Sequence, residues 1–195
     1  PLAFDPLTGP WDHMVFFRLE GGLADAEIES TAQMEKWKTE FQIQEGGPDK
    51  SQLAQDSFDA MVDESVTGIF KMPAKNATVL ESKYSYLSEK KYFRVILSNC
   101  KPGKAAVATE LLLGDFLPGL ESTGRLIAPF FCVAGIYDHV AFLEIDPSGL
   151  ENIESDKSDL AWMEAMGGEE KATETQSKYS ELARKIQREV AVARW

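Results

Sequence analysis

With 195 residues, 44% of them apolar, the chain is long enough for one large or two small cores and too apolar to stay disordered. A formal charge of −12 and a pI near 4.7 exclude the concentrated positive field that nucleic acid or an anionic membrane surface requires. No apolar run approaches the roughly 20 residues of a membrane span, so a soluble globular protein is expected, with no membrane or nucleic-acid partner and the cytoplasm as its compartment.

The first residues carry no basic region followed by an apolar one, so no signal peptide is expected, and a start at Pro1 leaves processing open. Cys100 and Cys132 lie in apolar segments without CxxC or Cys/His spacing. That pattern predicts buried thiols and gives no sign of zinc or of redox exchange.

Residues 1–10, with Pro1, Pro6, Gly9 and Pro10, read as an extended or turning lead-in. Residues 11–19 read as a strand with apolar side chains on both faces, Val15 and Phe17 against Met14 and Phe16. Residues 23–44 carry Met34, Trp37 and Phe41 at helical spacing, and Gly46-Gly47-Pro48 stops that helix. A second helix over 51–63 is expected to bury Leu53, Phe58, Met61 and Val62. Residues 66–72 read as a short strand.

Residues 74–91 give a weaker signal, and 78–87 read as an extended connection or an edge strand. Residues 92–99 form the next predicted strand. A helix over 105–122 should bury Leu113, Leu117 and Leu120, with Pro118 kinking or ending it. Strands are expected over 126–134 and 137–146. Helices follow over 150–166 and 169–187, the latter with Tyr179, Leu182, Ala183 and Ile186 as a buried stripe, and a last strand over 190–195.

One stretch occurs twice. Gly9-Pro10-Trp11-Asp12-His13 and Gly135-Ile136-Tyr137-Asp138-His139 stand 126 residues apart, each opening an apolar run, and they hold both histidines of the chain. Each copy is followed by a tryptophan-bearing helix (Trp37, Trp162), then Gly-Gly, then a lysine (Lys50, Lys171), in the same order. A duplication accounts for that common order.

Strand, helix, strand, strand, helix, strand over 91–195 is the ferredoxin-like βαββαβ arrangement. The strand at 92–99 with Lys101-Pro102-Gly103-Lys104, and Gly135-Ile136-Tyr137-Asp138 before an apolar strand, resemble the dimeric α/β-barrel superfamily. Its GYD-type, NIPSNAP-type, antibiotic-biosynthesis-monooxygenase-type and chlorite-dismutase-type members do not separate on these residues. The resemblance implies an α+β chain of tandem ferredoxin-like modules whose antiparallel sheets form an α/β-barrel. Residues 1–73 would supply only the second half of the first module, 74–90 a linker or edge strand, and 91–195 the complete second module.

The resemblance also implies a small-molecule ligand between the sheets and a homo-oligomer. Its functional readings are a cofactor-independent, monooxygenase-like enzyme acting on an apolar or aromatic substrate, a haem-binding barrel enzyme, and a non-catalytic dimerisation or sensor module. His13 and His139 are the candidate catalytic residues, because imidazole alone titrates near neutrality. The ordinary alternative is a strand-end histidine bonding a loop carbonyl. Asp12 and Asp138 should face away from them, since neighbours on a strand point to opposite faces. Trp11, Arg18, Tyr137 and Glu144 are candidate ligand-binding residues, although ordinary strand-end charges for Arg18 and Glu144 and aromatic core for Trp11 and Tyr137 are the commoner readings. No nucleotide-binding glycine loop, nucleophile elbow or metal-ligand spacing occurs, so neither metal nor cofactor is expected, with haem kept as the exception.

Overall fold

The computed structural model describes residues 2–16, 32–83, 91–145 and 157–194, and the chain folds as two units, one spanning 17–66 and the other built from 2–16 and 67–195. In the first unit, helices α1 (Ala32–Glu45) and α2 (Pro48–Asp59) form a hairpin. Gly46 and Gly47 take φ values of +83° and +127°, conformations open to glycine. Their N–H groups thereby reach the carbonyls of Ile43 and Gln42, satisfying the end of α1. Pro48 begins α2, where its missing N–H costs nothing. Leu53 and Met61, expected to be buried, are 69% and 76% exposed. For Met61 the reason is that α2 ends at Asp59, one turn short of the expected span.

The second unit is organised on a seven-stranded antiparallel sheet. Its strands are β1 (Leu2–Pro6), β2 (Met14–Phe16), β3 (Ile69–Lys71), β4 (Tyr92–Cys100), β5 (Ile127–Ala134), β6 (His139–Ile145) and β7 (Ala183–Arg194), in the order β2-β1-β7-β4-β6-β5-β3. β4 lies at the centre, pairing Leu97 with Val140 on one side and with Gln187 on the other. Phe93, Val95 and Leu97 of β4 enter the main core together with Phe4, Phe130, Val140, Phe142, Ala191 and Ala193.

The sheet curls around that core into a half-barrel. Phe16 on β2 stacks on Phe130 of β5 with ring centroids 4.5 Å apart, although four strands lie between them. A flat sheet would hold them roughly 24 Å apart, at about 4.8 Å per strand. Phe4 stacks on Phe142 at 4.1 Å and meets Phe93 edge-on at 5.3 Å, so aromatic rings fill the concave side.

Helices cover the other face. Residues 105–122 form α4 (Ala105–Leu111), a π turn (Leu112–Phe116) and α5 (Leu117–Ser122). The proline ring at position 118 would collide with the carbonyl four residues back in a regular helix. The widened turn accommodates it, and Leu117 N–H bonds to the carbonyl of Leu112. The extra residue rotates the stripe: Leu117 is buried and Leu120 half-buried as expected, but Leu113 is 43% exposed. Helices α6 (Lys157–Ala165) and α7 (Glu169–Leu182) follow β6.

Two expectations change. Of residues 78–87, expected as an extended connection or an edge strand, 78–82 belong to helix α3 (Ala74–Ser82), whose Leu80 packs into the concave core; 84–90 lie outside the described residues. The last helix stops at Leu182, and Ala183 and Ile186 belong to β7, where Ile186 faces Ser98 across the ladder. Pairing along the whole of β4 overrides the helical period there. From β4 to β7 the connection is β-α-β-β-α-β with spatial order β7-β4-β6-β5. The β1–β2 hairpin extends this sheet beside β7 and β3 extends it beside β5; a second complete connection of this kind is not present among the described residues.

Candidate functional site

β6 opens at His139, and strand alternation decides where its side chain goes. Val140 and Phe142 enter the concave core, so His139 faces the helices, where it is 5% exposed. Its Nε2 lies 2.8 Å from Thr109 Oγ1 on α4, and its Nδ1 lies 3.1 Å from Tyr179 Oη on α7. Tyr179 Oη is also 2.5 Å from Ser98 Oγ on β4. Cys100 Sγ stands 3.8 Å from Nδ1. Three elements therefore converge on one imidazole.

Burial sets the protonation of this group. Loss of water lowers the pKa of His139, against a smaller opposing pull from Asp138. Burial pushes the Tyr179 phenol up to about 12 and the Cys100 thiol up to about 11. Near neutrality the cluster holds a neutral imidazole, a phenol and a thiol. A neutral imidazole keeps one donor and one acceptor nitrogen, so it can pass or receive a single proton along the hydroxyls.

Asp138 has a separate task. Its carboxylate accepts the Cys100 N–H at 2.6 Å, its N–H bonds to the Ser98 carbonyl, and its carbonyl accepts the Cys132 N–H, both at 2.9 Å. The aspartate thus ties the turn to β4 and β5. That agrees with the expectation that it does not form a dyad with its neighbour.

Beside His139, under the π turn, lies a cavity of about 50 Å³ bounded by Leu112, Phe116, Leu117, Phe131 and Leu143. Among the described residues His139 is the only polar one on its wall. A smaller space of about 20 Å³ lies along the same face near Arg94 and Arg125. Both adjoin residues of the helix layer, whereas the ligand was expected between the sheets, where phenylalanine rings now pack. Pockets for drug-sized ligands are typically about 300–1,000 Å³, so the larger cavity holds a guest of very few atoms as it stands.

The other candidate residues separate. His13 has a side chain 68% exposed, with Nδ1 2.9 Å from Asp5 Oδ1, and among the described residues it shares no partner with His139. Trp11 and Tyr137 do meet: Trp11 Nε1 donates to Tyr137 Oη at 3.1 Å, and both rings pack half-buried against the concave core. Glu144 accepts the Leu126 N–H at 3.1 Å and clasps the end of the β5–β6 pair. Arg18 lies outside the described residues. Among the described residues no group of three or more His, Cys, Asp and Glu side chains is placed to hold a metal ion.

Two features of the site were not foreseen. Thr109, Ser98 and Tyr179 supply the histidine's surroundings, and only Tyr179 had been singled out, as a stripe residue. Glu189 is 2% exposed on the concave face of β7, accepting from the Gln187 amide while its Oε2 has no hydrogen-bond partner among the described residues. Comparison with family models, with curated proteins and with solved structures finds no match to this chain.

Proposed function

We propose that this protein binds a small apolar or aromatic molecule between the interrupted α4–α5 helix and the sheet, and acts on it in the cofactor-independent, monooxygenase-like manner that the superfamily resemblance implies. In this reading 91–195 is a complete ferredoxin-like module and 1–73 the second half of another, in a homo-oligomeric cytoplasmic protein. The observation that carries it is His139: a buried, neutral base on the wall of an otherwise apolar cavity. Both ring nitrogens face hydroxyls here, so His139 acts as a base on a ligand only when Thr109 or Tyr179 gives up its contact, and the proton then moves without competition from water. An aromatic ligand needs more than 50 Å³, and the π turn, with its longer hydrogen-bonded loop, is the segment that would yield. His139→Ala and His13→Ala, each assayed for ligand binding and turnover, test the proposal. Loss in the first and not the second supports it; unchanged behaviour in both sinks it.

The haem reading fits less well. An axial ligand must direct a nitrogen into a space of macrocycle size, whereas both His139 nitrogens face hydroxyl groups. A non-catalytic assembly module is the second reading, favoured by the aromatic packing of the concave face, where Phe4 and Phe93 are 1% exposed and Phe142 is fully buried.

A further inference from the structure

The sheet has an odd number of strands, all antiparallel to their neighbours, so its two edges, β2 and β3, run in the same direction. They cannot close on each other as an antiparallel pair, but one strand running the opposite way fits between them and pairs with both. The curl brings the edges into range of the same ring: Phe16 of β2 and Phe70 of β3 lie 4.5 and 6.4 Å from Phe130. Among the described residues β2 pairs only with β1, and β3 only with β5.

Exposure of the inner face rises towards this gap. Phe4, Phe93 and Phe142 are at most 1% exposed, whereas Met14, Phe16 and Phe70 on the edge strands are half-buried. The internal sequence match indicates what would fill it. His13 opens towards β2 as His139 opens β6, and β6 is flanked by β4 and β5 where, among the described residues, β2 has β1 alone. The absent neighbour is the counterpart of β4, whose Phe93, Val95 and Leu97 alternate into the core.

We propose that the gap between β2 and β3 is a strand-acceptor site for an extended segment of a partner polypeptide, antiparallel to both edges and apolar at alternate positions. Strand addition gives affinity through main-chain hydrogen bonds, while the alternate side chains cover the half-buried Met14, Phe16 and Phe70. The occupant completes an eight-stranded barrel and removes both open edges. This inference does not depend on the His139 site.

The test uses the full chain and a synthetic peptide with the sequence of residues 92–99, labelled for fluorescence anisotropy, together with amide hydrogen exchange. The expected result is one-to-one binding with slowed exchange at Met14–Phe16 and Ile69–Lys71. Methylating alternate peptide nitrogens, which keeps the side chains and removes donors, should weaken binding by about tenfold or more. Equal binding of the methylated peptide, or none by either, overturns the proposal. So does protection of both edges without peptide: in a monomer the chain itself fills the gap, and in a dimer that loses protection on dilution a second copy does.

Discussion

Trp11 donates its indole N–H to the Tyr137 hydroxyl at 3.1 Å, joining two residues 126 positions apart in the chain. That is also the separation of the two histidines. The stretches that look alike in sequence therefore touch through their aromatic residues, while their histidines go to different surroundings. Tyr137→Phe keeps the ring and removes the acceptor, and should cost about 0.5–1.5 kcal/mol. Chemical denaturation measures the loss, and a cycle with Trp11→Phe should recover a coupling of similar size.

The histidines should separate sharply in stability. His139→Ala leaves the Thr109 and Tyr179 hydroxyls short of a buried partner and should cost about 2–3 kcal/mol. His13→Ala, at an exposed site, should stay within about 0.5 kcal/mol. Equal losses in urea titrations of the two variants would contradict the burial difference.

Acid should weaken the fold through His139. Its folded pKa lies below that of a free imidazole, so below about 6.5 the unfolded chain binds the proton more readily. Stability from this group is fully present above that pH and declines as pH falls towards the folded pKa. His139→Gln should flatten the decline, read as the midpoint of thermal unfolding between pH 7 and 5.

Glu189 acts with the opposite sign. Burial raises its pKa above that of a free glutamate, about 4.3, so it costs stability as pH rises from there through the folded pKa. Glu189→Gln should raise stability at neutral pH by about 1 kcal/mol. It should change little in strong acid, where the carboxyl is neutral in both states.

Gly9 covers that carboxyl at φ +93°, and a Cβ there would run into the Glu189 side chain. Gly9→Ala should destabilise by about 1–2 kcal/mol. Glu189→Ala in the same chain should recover the part due to collision and leave the part due to backbone conformation.

The sheet's central strands were legible because β4, β5 and β6 combine apolar runs with glycine and proline punctuation. Helix α3 was not, since its Thr78, Val79 and Leu80 read equally as extended, and packing of Leu80 against the core decides the matter. The start of β7 was hidden for a related reason: helical spacing runs on to Ile186, and only the ladder with β4 ends it. At the site, the titration range of imidazole and the repeated stretch pointed to His139. Its partners lie 30 and 40 residues away on other elements, and Ser98 lies 81 residues from Tyr179. No local pattern encodes such distances.

The π turn at Leu112–Phe116 sets a phase. One residue more or fewer in a helix turns everything beyond it by about 100°. Shortening that turn by one residue would swing the faces of α5 away from their present neighbours: Leu117 out of the layer over the sheet, and Gly119 from its seat against Met166 and the Trp162 indole. Substitution at many surface positions of this helix should be absorbed, but a change of length within it should not. The five residues of the turn therefore act as a spacer as well as supplying Leu112 and Phe116 to the cavity wall.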